Sequence, residues 1–230
     1  MRPIKINRAL SAPLLAEFLG TGILVMVALV LSETTAVPYF IGTSVAATLG
    51  LIYVFFNNLS GSHFNPAITI GIWTARKIST LWGIGYIIAQ VLGAIGAWQL
   101  YQYFTNHTLP VKTTPFATPS FIAEAVGAMI LAIGLTAAFV KALDTLTSAL
   151  TYATSFFVGI LVAATASAAF LNPAIAFAMR NVNLVYVLGP IIGAIVGVNL
   201  YMWVFGPQPV RAKAKTATVK IFRRGRKAKK

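Results

Sequence analysis

Asn65-Pro66-Ala67-Ile68 and its second copy, Asn172-Pro173-Ala174-Ile175, decide how this sequence is read. One Asn-Pro-Ala carries little weight, since chance alone produces it about once in several thousand positions. The surroundings repeat as well. Ala16-Glu17-Phe18-Leu19-Gly20-Thr21 resembles Ala123-Glu124-Ala125-Val126-Gly127-Ala128, and both Glu17 to Glu124 and Asn65 to Asn172 span 107 positions. Further on, Gly93-Ala94-Ile95 matches Gly193-Ala194-Ile195 at an offset of 100. Two copies at one distance from a Glu-bearing segment of their own half mark an internal duplication. The seven positions lost by the second half are expected in a shorter loop near Asn181.

The chain has 230 residues, is 58% hydrophobic and only 10% charged, with a mean hydropathy of +0.81. That is too few charges to cover a soluble domain. Six apolar runs have the roughly 20-residue length that crosses a hydrocarbon core: about Ser11–Leu31, Tyr39–Asn58, Leu81–Phe104, Phe121–Val140, Leu146–Ala166 and Leu184–Phe205. A bilayer leaves no water to satisfy the backbone, so these are helices. The first run is too long for the core of a signal peptide and stays as a span. Three spans per half make the second half enter from the opposite side, an inverted repeat whose site lies near the midplane. The domain organisation expected is a basic N-terminus (1–8), a channel domain (9–205, with repeats 9–105 and 116–205) and a basic tail (206–230).

The formal charge is +14, yet its placement argues against nucleic acid. Arg2, Lys5, Arg8, Arg76, Lys77, Lys141 and the ten cations from Arg211 to Lys230 fall on one side of six spans, with Lys112 and Arg180 opposite. The excess of Lys and Arg puts both termini in the cytoplasm, and the plasma membrane is the expected location. The tail carries no acid, and anionic lipid is its expected partner. There are no cysteines, so disulfides are excluded. Asn106-His107-Thr108 fits a glycosylation sequon on the outer side.

Each Asn-Pro-Ala begins an apolar segment too short to span, about Asn65–Thr74 and Asn172–Met179. Asn is a strong N-cap, and Pro suits the first helical position, where its missing N–H is not needed. Each motif therefore starts a half-helix inside the membrane, one from each side. The two positive ends meeting at the centre disfavour cations and protons. The oxygen of Asn65 or Asn172 can accept from its own helix while its NH2 points into the lumen. Irregular backbone at this depth must line a cavity, so the carbonyls of Gly61, Ser62, His63, Phe64, Ala168, Ala169 and Phe170 are candidate acceptors along a pore. No catalytic constellation, metal site or cofactor site is apparent, and no enzyme activity or cofactor is expected.

Together with Ser60-Gly61-Ser62-His63-Phe64 ahead of the first motif and Gly189-Pro190-Ile191-Ile192-Gly193-Ala194 after the second, these stretches resemble the aquaporin, or major intrinsic protein, family. The resemblance covers about Ala9 to Phe205. It implies an all-α fold of six transmembrane helices plus two half-helices, a homotetramer with one pore per subunit, and Asn65, Pro66, Ala67, Asn172, Pro173 and Ala174 as the pore-orienting residues. It also assigns Glu17 and Glu124 to a structural role, accepting backbone N–H groups of the loop ahead of each half-helix. A proton-relay role is the rival, because acids inside a membrane are costly unless partnered. His63 either gates by protonation or hydrogen-bonds within its loop. The many glycines in the spans fit close helix packing.

One feature departs from the family. Most members carry Arg directly after the second Asn-Pro-Ala, where this chain has Ile175. Counting back from the motifs puts the other constriction positions at Val45 (Ala46 if the register slips by one), Ile160 and Ala169. That ring is apolar throughout, so it offers water no side-chain donor and leaves room for larger neutral solutes. Arg180, five residues on, either adds charge at the outer vestibule or anchors the outer interface. The expected function is a passive channel for water or small uncharged solutes such as polyols, closed to ions and protons. The alternatives are a facilitator for a larger neutral or gaseous solute with poor water flux, and, more distantly, a proton-coupled secondary transporter or a non-conducting scaffold.

Overall fold

The computed structural model describes residues 8–207, leaving residues 1–7 and the basic tail from 208 outside the described residues. It contains α1 (Arg8–Thr34), α2 (Pro38–Ser60), α3 (Pro66–Thr74), α4 (Thr80–Thr105), α5 (Thr118–Val140), α6 (Thr145–Ala163), α7 (Pro173–Ala178) and α8 (Leu184–Phe205). Six are long and apolar enough to cross a membrane. Two are half-helices. The span boundaries follow the apolar runs to within three residues at each end, and α6 stops at Ala163, three short of its run. There Ala166 and Ser167 donate back to the Ala163 carbonyl, and the chain leaves the helix to run toward Asn172.

The two halves obey the same packing. In the first, α1 lies along α4; in the second, α5 lies along α8. Glycine makes both contacts: a Cβ on Gly93 would sit 2.3 Å from the Phe18 carbonyl oxygen, and one on Gly193 would sit 1.9 Å from that of Ala125. Phe18 and Ala125 are themselves 107 positions apart, so the duplication extends to the backbone contact. Close approach of small residues is how membrane helices gain dispersion contact without a hydrophobic drive. The halves then join crosswise, α3 packing on α8 and α7 on α4 and α1.

The missing positions lie elsewhere than in a connecting loop. Half-helix α3 has 9 residues and α7 has 6, narrowing the offset from 107 to 104. The links that follow, Ala75–Ser79 and Met179–Asn183, are equal in length and fold alike. Arg76 N donates to Trp73 O and Lys77 N to Ile72 O; Arg180 N donates to Phe177 O and Asn181 N to Ala176 O. Ser79 then caps α4 fourteen residues before Gly93, while Asn183 caps α8 ten residues before Gly193. The last four positions are one turn of the spanning helix, a deletion that keeps its faces in register.

Candidate functional site

Both half-helices start as their sequences require. Asn65 and Asn172 are extended N-caps with Pro at the next position. The Asn65 Oδ1 accepts from Ala67 N at 2.8 Å, and the Asn172 Oδ1 accepts from Ala174 N at 2.9 Å. The side-chain amides reach across to the other half. Asn65 Nδ2 donates to the Leu171 carbonyl and Asn172 Nδ2 to the Phe64 carbonyl, each at 2.9 Å. Each cap therefore ties its half-helix to the loop of the other half. One of its two amide hydrogens is spent on that tie, and the second has no hydrogen-bond partner among the described residues.

The loops ahead of the caps are strained in matching places. Ser62 and Phe64 have positive φ, as do Ala169 and Leu171, their partners at the 107 offset. Such left-handed residues cost on the order of 1–3 kcal/mol each and persist only where their surroundings hold them. The buried acids do the holding. Glu17 accepts from Ser60 Oγ, His63 N, Phe64 N and Gln90 Nε2, at 2.6–2.9 Å. Glu124 accepts from Ser167 Oγ, Phe170 N and Leu171 N, at 2.8–3.0 Å. Every partner donates to the carboxylate, which suits an acceptor-only group. Ser60 and Ser167 in turn accept from Ser62 N and Ala169 N.

Among the candidate carbonyls, two have protein partners. The Phe64 carbonyl is taken by Asn172, and the His63 carbonyl accepts from the Tyr152 hydroxyl at 3.1 Å. Gly61, in the left-handed C-cap of α2, and His63 line a cavity of about 620 Å³ that opens between α3, α4, α5 and α8. The His63 ring lies against Tyr86 and its Nδ1 is 3.1 Å from Thr69 Oγ1. Val45, Ile160, Ala169 and Ile175, from α2, α6, the second loop and α7, are all buried in one continuous apolar cluster; Ala46 is buried too. Arg180 belongs to neither: its guanidinium stacks on Trp98, 4.5 Å from the ring centroid.

The sequence assigns no role to Ser60, Ser167, Gln90, Tyr152 or Leu171. The two serines were within reach, being 107 positions apart like the motifs. Leu171 acts through its carbonyl alone, so its side chain carries no signal.

Residues 6–201 match the family described as Major intrinsic protein. "Aquaporin AqpM" of Methanothermobacter marburgensis is 30% identical, over 82% of this chain and 95% of that protein. "Aquaporin-5" of Sus scrofa is 29% identical, over 89% of this chain and 85% of that protein. Among solved structures, the aquaglyceroporin from Plasmodium falciparum has the same fold, with a TM-score of 0.68 at 20% identity, over 84% of this chain and 96% of that one. With the matched region running from α1 into α8 and six membrane-length helices around paired half-helices, the chain belongs to the major intrinsic protein family and is an integral membrane channel, not an enzyme.

Proposed function

We propose that this channel conducts water and small uncharged solutes passively and that the pore passes between Asn65 and Asn172. The reciprocal pair Asn65 Nδ2 to Leu171 O and Asn172 Nδ2 to Phe64 O carries this reading. It fixes two neutral donors at the point where two half-helices meet, and neither group can titrate. The converging positive ends of α3 and α7 exclude cations and protons. Val45, Ile160, Ala169 and Ile175 form the outer constriction, with no cation and no aromatic ring among them. A second reading has the same apolar ring favour larger neutral or gaseous solutes over water, because dewetting there slows a water file. Glu17 and Glu124 act structurally. Four such chains assemble as a homotetramer in the plasma membrane with both termini in the cytoplasm, where the basic tail meets anionic lipid.

Osmotic swelling and shrinking of proteoliposomes, followed by stopped-flow light scattering with water, glycerol and urea, tests the proposal. Permeability above that of empty vesicles is expected. Ile175→Arg should raise water selectivity and cut glycerol flux by narrowing the ring and adding donors. Permeabilities no greater than empty vesicles for all three solutes would remove the reading. Glycerol flux unchanged by Ile175→Arg would remove the assigned constriction.

A further inference from the structure

The two links that follow the half-helices are copies of each other. Trp73-Thr74-Ala75-Arg76-Lys77-Ile78-Ser79 and Phe177-Ala178-Met179-Arg180-Asn181-Val182-Asn183 correspond position by position. Each has an aromatic residue, an Arg three further on, an aliphatic residue and a polar helix cap. Both arginines sit in the left-handed region, Arg76 at φ 57° and Arg180 at φ 59°. Each link borders an open cleft, about 690 Å³ at Arg76 and about 360 Å³ at Arg180.

Among the described residues, neither arginine has a carboxylate partner. The whole chain contains four acidic side chains, and all are engaged. Glu17 and Glu124 are buried against their loops, Glu33 pairs with Lys112 at 3.1 Å, and Asp144 caps α6. Lys112 also borders the Arg180 cleft but is neutralised by that pair. Arg180 lies over a neutral ring, and its Nε is buried without a hydrogen-bond partner. In the other cleft Arg76 and Lys77 have no ion-pair partner among the described residues.

Depth indicates what would pair with them. The caps Asn65 and Asn172 meet at the pseudo-two-fold and so mark the midplane. Eleven residues of helical rise put Arg76 about 16 Å from it, and eight put Arg180 about 12 Å from it. The hydrocarbon half-thickness is roughly 15 Å, so Arg76 lies at the headgroup boundary, and Arg180, stacked on Trp98, lies within the length of an arginine stem of it. Exposed apolar side chains adjoin each cleft, Trp73 on one side and Val111 and Val182 on the other. An acyl chain can cover them while its headgroup phosphate meets the cation. Guanidinium matches phosphate geometry with paired N–H donors.

We propose that the two links form a pseudosymmetric pair of phospholipid sites, one in each leaflet, in which Arg76 with Lys77 and Arg180 each bind a headgroup phosphate. Lipid is the ligand because the clefts lie at the membrane boundary beside exposed apolar surface. The Arg76 site, with two cations, holds its lipid more tightly than the Arg180 site.

The test uses the full chain in an uncharged detergent, incubated with phosphatidylglycerol. Retained lipids are counted per chain by native mass spectrometry, and tryptophan emission is titrated in parallel. Lipid held by the basic tail is common to all variants and cancels in the comparison with wild type. Arg180→Gln should retain one lipid fewer and change the Trp98 response; Arg76→Gln with Lys77→Gln should likewise retain one fewer; the combined variant should lose two. Arg180→Lys, which keeps the charge but not the paired donors, should retain more lipid than Arg180→Gln and less than wild type; retention equal to that of Arg180→Gln would mean a packing role and overturn the site. Equal retention by wild type and the combined variant would also overturn it. So would displacement of the lipid by excess inorganic phosphate, which would make a soluble anion the ligand, or equal retention of a phosphate-free galactolipid. Thermal unfolding of each variant at the wild-type temperature shows that the counts come from folded protein.

Discussion

Replacing Glu124 with Gln is the sharpest probe of how the pore loops are held. The carboxylate meets donors at both oxygens, Ser167 Oγ and Phe170 N at one and Leu171 N at the other. Gln keeps one oxygen and puts an NH2 in place of the second. If the amide nitrogen faces Ser167 and Phe170, the hydroxyl can turn to accept, but the Phe170 N–H loses its partner. If it faces Leu171, that N–H is orphaned instead. One backbone hydrogen bond to a charged acceptor is lost either way, worth about 1.5–3 kcal/mol, or roughly 10- to 150-fold in the equilibrium between held and released loop. Leu171 also supplies the carbonyl that holds Asn65, so the release reaches the centre of the pore. Glu17→Gln removes one N–H bond in the same way, and turning Gln90 to present its Oε1 to the new amide would take its Nε2 off Thr69 Oγ1. Glu124→Gln and Glu17→Gln should therefore both lose water permeability and thermal stability. Stopped-flow swelling and unfolding in detergent measure both. Wild-type behaviour of the two variants would refute the holding role. Uptake driven by a pH gradient and abolished in both variants, with passive flux intact, would make the protein a transporter instead.

Three further outcomes are expected. Asn65→Asp or Asn172→Asp replaces the amide donor with an oxygen facing a carbonyl only 2.9 Å away; each should lower both permeability and unfolding temperature, as swelling and thermal scans would show. Gly193→Ala forces a methyl to 1.9 Å from the Ala125 oxygen, so α5 and α8 must part at a cost of about 1–3 kcal/mol. Gly96→Ala meets nothing nearer than Phe18 at 3.8 Å and should unfold with the wild type. Outside the membrane, Asp144 caps α6, and the Thr147 hydroxyl and N–H hold its carboxyl below the usual aspartate value of 3.8. Its stabilisation is present above the ordinary aspartate pKa and fades as pH falls through the depressed one. The gap in unfolding temperature between wild type and Asp144→Ala should be constant at neutral pH and close in strong acid.

Much of this protein is written locally. Spans follow from uninterrupted apolar runs, because a bilayer demands about 20 residues of internally bonded helix whatever the neighbours do. The half-helix starts follow from Asn before Pro, a cap whose bonds reach only two residues ahead. The inverted repeat follows from equal spacings and an odd number of spans. What depended on the folded chain was every bond between the halves. Asn65 and Leu171 are 106 positions apart, and Asn172 and Phe64 are 108 apart; nothing local says that a cap will spend a donor on the opposite loop. The place of the shortened second repeat was likewise hidden, because a deletion in a half-helix and one in a loop leave the same count. Arg180 was undecided in the sequence for a similar reason. Its stacking partner, Trp98, lies on a helix of the other half, and only the crosswise packing of α7 on α4 brings the two together.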